Sequence, residues 1–276
     1  MKALSPKNLD ELVTALNNMT DKSKIIGGGT DLIISIQRGR IEPDCLLLMN
    51  NVQESRKIEI FSDRLEIGSS VTMTEIAESQ LIPANFSAIR EAASDVGSLQ
   101  VRNRATIGGN IANASPAGDL IPVLYLLNAQ AHVLDNQGQT TKINIENLIT
   151  GAGQTCLNPQ QAIYKFEIPL TDKITHFIKM GSRSKVTVAR INLTAALNLN
   201  DNNIITDTDV IASSIYTKPL NLKAITPSLR GLTPDDPAAA QFISRYITDF
   251  INENTHRVYK AAAVKGVALD LMAKFQ

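Results

Sequence analysis

Residues 106–124 read TIGGNIANASPAGDLIPVL, and this stretch carries the most specific pattern in the chain. Its first five residues combine a hydroxyl, two glycines and a small polar amide: Thr106, Ile107, Gly108, Gly109 and Asn110. Glycines without a Cβ let a ligand approach the backbone closely, and peptide N–H groups in such a loop can hold an anion. We therefore interpret this loop as one side of a binding site.

An acidic residue follows in the same stretch. Asp119 precedes an almost wholly apolar segment, residues 120–129, which predicts a buried helix. The carboxylate could accept hydrogen bonds from ligand hydroxyls, or it could simply cap the N-terminus of that helix. The residues alone leave both interpretations open.

A second glycine cluster lies near the beginning of the chain. A short β-branched segment predicts a strand that runs into three glycines and a helical pattern: Ile25, Ile26, Gly27, Gly28, Gly29, Thr30, Asp31 and Leu32. A tight turn requires one glycine with positive φ, whereas three in a row leave several N–H groups available to a phosphate. Two such loops suit a ligand with two phosphates, and they predict a dinucleotide.

The order of the predicted elements indicates an α+β fold. Residues 1–55 alternate strand and helix patterns, with a helix start at Ser5-Pro6, and predict a small parallel part. Residues 56–171 contain a hairpin and further strands, and predict a mainly antiparallel part. Residues 172–276 are strand-rich at first and end in two long helical patterns. We predict one domain over residues 1–171 and a smaller α+β domain over residues 172–276.

Composition and missing motifs exclude several classes of function. The 27 Lys and Arg residues balance 27 Asp and Glu residues, so no nucleic-acid surface is indicated. The three histidines lack metal-ligand spacing, and two cysteines are too few for a four-cysteine iron–sulfur cluster. No P-loop, nucleophile elbow or complete dinucleotide fingerprint occurs. We see no signal peptide and no membrane-spanning stretch, and we expect a cytoplasmic protein that binds no metal itself.

Five segments together resemble the FAD-binding (medium) subunit of molybdenum hydroxylases, the xanthine dehydrogenase and carbon monoxide dehydrogenase family. They are residues 27–32 (GGGTDL), 106–124 as quoted above, 162–169 (AIYKFEIP), 177–197 (FIKMGSRSKVTVARINLTAAL) and 257–269 (RVYKAAAVKGVAL). The resemblance runs along essentially the whole chain. It implies a two-part FAD-binding domain of the vanillyl-alcohol-oxidase (PCMH) type, followed by a smaller α+β C-terminal domain with an antiparallel sheet and helices.

The resemblance also implies which residues bind the cofactor. The segment from Ile25 to Leu32 would hold the FAD pyrophosphate, and the segment from Thr106 to Asn110 would line the flavin nucleotide. Single contacts are implied for further residues: Val96 near a ring system, Asp119 at FAD hydroxyls, the backbone of Ile163 or Tyr164 at the isoalloxazine, and Lys179. From the residues alone, Lys179 could equally be a solvated lysine at a strand edge. Residues 184–187 (SKVT) depart from the Arg-x-Asp of many relatives.

The function that the resemblance implies is that of an oxidoreductase subunit in a heterotrimer, active in complex. FAD is the expected cofactor, and the expected partners are a [2Fe–2S] iron–sulfur subunit and a molybdopterin-containing large subunit. NAD+ or another molecule would accept the electrons. We expect no catalytic acid or base in this chain, because the cofactor supplies the chemistry. Two alternatives stay open: a free-standing FAD-dependent oxidoreductase, and a non-catalytic assembly subunit that has lost flavin.

Overall fold

The computed structural model describes all 276 residues. Contacts within it divide the chain into two compact units, each assembled from three segments of sequence. The first unit contains residues 1–81, 98–114 and 128–170, and the second contains residues 82–97, 115–127 and 171–276. None of the helices combines the length and the hydropathy that crossing a membrane requires.

The strands and helices alternate along most of the chain. Up to residue 127 they are β1 (Lys2–Leu4), α1 (Leu9–Leu16), β2 (Lys24–Ile26), α2 (Leu32–Gln37), β3 (Cys45–Leu48), β4 (Ile58–Ile60), β5 (Arg64–Gly68), α3 (Met73–Glu78), α4 (Ser87–Ser94), α5 (Leu99–Arg102), α6 (Ile107–Asn113) and α7 (Leu120–Leu126). The remainder are β6 (Gln130–Asp135), β7 (Thr140–Asn144), α8 (Ile145–Leu148), β8 (Ile149–Gly151), β9 (Gln154–Thr155), β10 (Gln161–Pro169), β11 (Ile174–Gly181), β12 (Ala189–Leu199), β13 (Ile205–Ser213), β14 (Leu220–Asn221), α9 (Thr226–Leu229), α10 (Pro237–Asn254) and α11 (Val258–Ala273). Short 3-10 helices cover Met49–Asn51, Gln53–Arg56, Ala84–Phe86 and Lys223–Ile225.

The first unit begins with a three-stranded parallel sheet in the order β1-β3-β2. Parallel strands need a crossover connection, and α1 supplies the connection between β1 and β2. Leu12 and Leu16 of α1 share one buried cluster with Leu47 of β3. The predicted small parallel sheet is therefore confirmed, with β1 as an additional strand.

The predicted helix start at Ser5-Pro6 is wrong. Helix α1 begins at Leu9, and the side chain of Asn8 accepts a hydrogen bond from the N–H of Glu11. The Glu11 carboxylate in turn accepts one from the N–H of Lys7. The Ser5 hydroxyl accepts a hydrogen bond from the Asn51 side chain instead of capping a helix. A second capping residue three positions further on thus determines where the helix begins.

A five-stranded antiparallel sheet in the order β4-β5-β10-β6-β7 completes the first unit, together with the small β8–β9 pair. The β4–β5 hairpin was predicted, and it is confirmed. Helix α3 follows with a capping box, in which Thr72 and Glu75 satisfy each other's backbone N–H groups. Leu65, Ile67 and Phe166 are fully buried in this part of the unit.

The second unit is built on a four-stranded antiparallel sheet in the order β11-β12-β13-β14. Its main core combines these strands with α10 and α11. Helices α4 and α7 belong to this unit although they precede residue 171, and Leu126 of α7 clusters with Ala196 and Ile211 of the sheet. Six of the seven residues of α7 are buried, and the helix packs against β12 and β13 of this sheet. The predicted α+β fold class is confirmed.

Candidate functional site

The three-glycine loop after β2 packs directly against the segment that precedes α6. A Cβ on Gly28 would lie 1.8 Å from the carbonyl oxygen of Arg104, and a Cβ on Gly27 would lie 2.5 Å from Oγ1 of Thr106. Only glycine permits such close approach of the two segments. The two glycine-containing segments, distant in sequence, are therefore neighbours in the first unit.

The N–H groups of this loop are available to a ligand. None of the backbone N–H groups of Gly28, Gly29, Thr30 and Asp31 donates a hydrogen bond within the chain. The carbonyl oxygens of Gly29 and Asp31 do have partners, because they accept hydrogen bonds from the first residues of α2. Consecutive unpaired N–H groups are the donors that phosphate binding by a backbone loop requires.

The second glycine segment contributes differently. Its residues form the beginning of α6, with Thr106 as the N-cap whose hydroxyl accepts a hydrogen bond from the N–H of Gly109 at 3.1 Å. The N–H groups of Ile107 and Gly108 donate to backbone carbonyls of the chain, and so does that of Asn110. The prediction of free N–H groups here is wrong, because the helix and the adjacent backbone already use them. At Gly108 and Gly109 the segment presents backbone without side chains to the pocket described next.

Both glycine segments line one pocket of about 80 Å³ in the first unit, which has room for one small group of a ligand. Six lining residues had been predicted as ligand contacts: Ile25, Gly27, Thr106, Gly108, Gly109 and Ile163. Six others had not: Met49, Ser69, Ala112, Leu157, Gln161 and Ala162. Ala112 lies on α6 beyond the glycine pair, Gln161 and Ala162 begin β10, and the other three lie outside the α-helices and strands, so no single local pattern marks the set. For Ser69, the only local indication in the sequence is the run of small residues Gly68, Ser69 and Ser70 at the end of β5.

Two polar atoms at this place are buried without a hydrogen-bond partner. They are Oγ of Ser69, which lines the pocket, and Oδ1 of Asn110, which follows the glycine pair. Buried polar atoms in folded proteins normally have a partner. A ligand in the pocket that carries hydroxyl or phosphate groups would supply a partner to the Ser69 hydroxyl, and the environment of this atom therefore fits a nucleotide cofactor.

The predicted backbone contact at Ile163 or Tyr164 lies at an irregularity of the sheet. The register between β10 and β6 shifts between Ile163 and Lys165, which leaves Tyr164 as a bulge. Ile163 lines the pocket, whereas the carbonyl oxygen of Tyr164 already accepts a hydrogen bond from the N–H of Ser69 at 2.9 Å. The structure thus places Ile163, rather than the Tyr164 carbonyl, where a ligand can reach it.

The other predicted residues come together in the second unit. Asp119 and Lys179 form an ion pair of 2.7 Å whose side chains are 6% and 5% exposed. Asn192 donates a second hydrogen bond to the Asp119 carboxylate, at 3.1 Å. Lys179 also donates to the carbonyl oxygen of Asp95, the residue directly before Val96. Both alternatives to ligand binding are wrong: Asp119 makes no capping hydrogen bond to α7, and Lys179 is not solvated.

The ionisation of Asp119 follows from these surroundings. Burial raises the pKa of its carboxyl to about 6, while the Lys179 ammonium and the Asn192 amide act in the opposite direction. Two of its lone-pair sites are used by these partners, and a carboxylate offers about four. The carboxylate is therefore held in place by the chain and retains acceptor capacity.

Comparison with known proteins assigns this arrangement to a family. The family model that describes the FAD-binding domain in molybdopterin dehydrogenase matches residues 1–171. The chain belongs to this family. FAD is accordingly the cofactor, and the chain is an FAD-binding oxidoreductase subunit of the molybdenum hydroxylase family. The resemblance stated from the sequence motifs is confirmed.

Relatives of this FAD-binding subunit are similar over much or all of its length. The nicotinate dehydrogenase FAD-subunit of Eubacterium barkeri is 28% identical over 95% of this chain and 92% of its own. The xanthine dehydrogenase FAD-binding subunit of Escherichia coli O157:H7 is 28% identical over 70% of this chain and 68% of its own. Among solved structures, quinoline 2-oxidoreductase from Pseudomonas putida 86 has a TM-score of 0.90 at 20% identity, covering 99% of this chain and 96% of that chain. At this identity the structure shows that the fold is shared.

Proposed function

We propose that this FAD-binding subunit relays electrons from a partner [2Fe–2S] subunit to NAD+ or another acceptor. Substrate hydroxylation would take place on a separate molybdopterin-containing subunit. The family assignment supports this role, and so do the names of relatives as FAD-subunits or medium chains of larger dehydrogenases. The observation that carries the proposal is the convergence of the two glycine segments on one pocket of the first unit.

Bound FAD supplies the redox chemistry, since it can exchange electrons with an iron–sulfur centre and with a nicotinamide. The chain supplies position and charge stabilisation. We assign the pyrophosphate to the free N–H groups between Gly28 and Asp31, because four adjacent donors compensate negative charge without a lysine or arginine. We assign ligand hydroxyl or phosphate contacts to Ser69 and Asn110, whose buried oxygens lack a partner in the chain.

Three residues of the second unit keep the role in FAD binding that the family resemblance implies for them. Asp119 would accept hydrogen bonds from FAD hydroxyls with the lone pairs that Lys179 and Asn192 leave free. Lys179 then acts as a positioning residue, because its ammonium holds both the carboxylate and the backbone before Val96. Val96 itself stays a proposed contact to a ring system.

Purification of the tagged chain from its own cells tests the electron route. We expect flavin, iron and molybdenum to copurify with two further subunits, and we expect NADH or another reduced acceptor to bleach the flavin absorption of that complex. A chain that purifies alone, with flavin, and oxidises an organic donor would establish the free-standing oxidoreductase instead. A colourless chain that still holds both partners would establish the assembly subunit.

A further inference from the structure

Helix α2 directly follows the three-glycine loop, and its apolar side chains lie on the surface of the first unit. Four of its six residues are leucine or isoleucine, namely Leu32, Ile33, Ile34 and Ile36. None of the six is buried within the chain, and Ile33 and Ile34 are 36% and 46% exposed. A surface helix normally turns its apolar residues towards the core. This helix does not, so the burial that its sequence favours has to come from a partner.

The backbone of α2 is fixed at both ends, so its exposed side chains belong to an ordered element. At the beginning, the N–H of Ile33 donates to the carbonyl oxygen of Gly29 at 3.1 Å. At the end, Gly39 has a φ of 65°, and the N–H of Arg40 donates to the carbonyl oxygen of Ser35 at 2.9 Å. This is a Schellman motif, in which the residue after the glycine is often apolar and packs back on the helix. Here that residue is Arg40, and the apolar side chains stay uncovered.

Two cations border the apolar residues at the C-terminal end of α2. Arg38 and Arg40 are both exposed, and neither guanidinium has a hydrogen-bond or ion-pair partner in the chain. Cations at this end of a helix interact favourably with its dipole, but that interaction leaves their N–H donors free. The planar guanidinium suits carboxylates, which it can bind through two parallel hydrogen bonds. A partner that covers α2 should therefore place acidic residues beside an apolar centre.

The position of α2 indicates which partner this is. The loop that precedes the helix carries the four free N–H groups to which the FAD pyrophosphate is assigned, so whatever covers α2 also lies beside FAD. This step rests on the proposed function, in which a cluster on another subunit exchanges electrons with FAD. Electron transfer requires that the two centres lie close together. We propose that Ile33, Ile34, Ile36, Arg38 and Arg40, here called the α2 surface, are the docking site of the [2Fe–2S] subunit.

Photo-crosslinking in the intact complex identifies the subunit that covers α2. Ile34→p-benzoylphenylalanine places the crosslinker on the α2 surface, outside the pocket assigned to FAD. Ile60→p-benzoylphenylalanine is the matched control, because Ile60 on β4 is also an isoleucine of the first unit and is also 46% exposed. After irradiation of the complex purified from its own cells, mass spectrometry should find the [2Fe–2S] subunit joined to residue 34 and not to residue 60.

Binding of the purified [2Fe–2S] subunit to the immobilised, FAD-loaded chain measures the same contact without the large subunit. Ile34→Asp should raise the Kd by about tenfold or more, because it places an unpaired charge in an apolar contact. Arg38→Glu should raise the Kd as well, because it sets a like charge against acidic groups of the partner. Ile60→Asp should leave the Kd unchanged. All three chains should retain the flavin content of the unaltered chain, and the fully exposed position of Arg38 keeps the test valid if Ile34→Asp loses flavin.

The outcomes separate this inference from the proposed function. If the complex contains a [2Fe–2S] subunit but residue 34 is joined to the large subunit, to a second copy of this chain or to nothing, the docking site lies elsewhere and only this inference is wrong. Equal crosslinking from residues 34 and 60, or an unchanged Kd in both Ile34→Asp and Arg38→Glu, would also overturn it. If no [2Fe–2S] subunit copurifies with the unaltered chain, the proposed electron route fails, and the docking site fails with it.

Discussion

Replacement of Lys179 by methionine would leave the Asp119 carboxylate buried without its cation. Both side chains are almost inaccessible, and their charged atoms are 2.7 Å apart. Removing one partner of such a pair costs about 3–5 kcal/mol, because the remaining charge stays in a poorly solvated place. For a chain of this length this corresponds to a fall in melting temperature of about 10 °C. Asp119→Asn should have an effect of similar size, since it leaves the Lys179 ammonium unpaired.

The double variant Asp119→Asn/Lys179→Met should recover most of that stability, because neither buried charge is then left alone. Urea unfolding followed by far-ultraviolet circular dichroism measures all four chains. Lys142→Met is a suitable control: its ion pair with Glu167 is half exposed on the lysine side, and its loss should cost less than about 1 kcal/mol. If the double variant is no more stable than the less stable single variant, the two side chains do not act as a compensating pair.

Two other predictions concern the carboxyl group of Asp119 and the glycine loop after β2. Because the pKa of Asp119 is raised from 3.8 to about 6, the stability that the protonated carboxyl provides is complete below pH 3.8 and is lost as the pH rises through 6. The free energy of unfolding relative to Asp119→Asn should therefore fall by about 2 kcal/mol from pH 4 to pH 6, as pH-dependent urea titrations would measure; a flat difference would contradict the raised pKa. Gly28→Ala should destabilise the chain by more than about 2 kcal/mol, because its Cβ would meet the Arg104 carbonyl, whereas Gly266→Ala in open space should not. Thermal unfolding compares them, and equal stability would argue against the close packing.

The sequence predicted the fold well where the pattern is local. The hairpin β4–β5 and the strands of the second unit are determined by alternation within a few residues. The predicted start of α1 is wrong because Ser5 and Asn8 are both good capping residues. Asn8 caps the helix together with Glu11, while Ser5 accepts a hydrogen bond from Asn51 instead.

The candidate site was predictable only in part, because local sequence patterns do not reveal contacts between residues far apart in the chain. Three glycines in sequence predict a loop with free N–H groups, and that is what the structure contains. The ion pair joins Asp119 and Lys179, which are far apart in sequence, so no sequence spacing predicts it. The Ser69 hydroxyl is buried without a hydrogen-bond partner, and this too depends on residues distant in sequence. The segment from Thr106 to Asn110 looked like a second anion loop because helix starts and anion loops share the same residue types.

The most direct measurement of the central claim is FAD affinity in the Gly109→Val chain against the Gly266→Val chain. Both glycines lie in helices. A Cβ on Gly266 would meet open space, and a Cβ on Gly109 would lie 3.1 Å from the Thr106 hydroxyl and near no other atom. Valine is no worse a helix former than glycine, so both chains should fold. Because Gly109 lines the pocket and Gly266 does not, fluorescence titration should show FAD binding at least about tenfold weaker in Gly109→Val only, a difference of ~1.4 kcal/mol. Equal FAD affinity in the two chains would contradict a cofactor site at the meeting point of the two glycine segments.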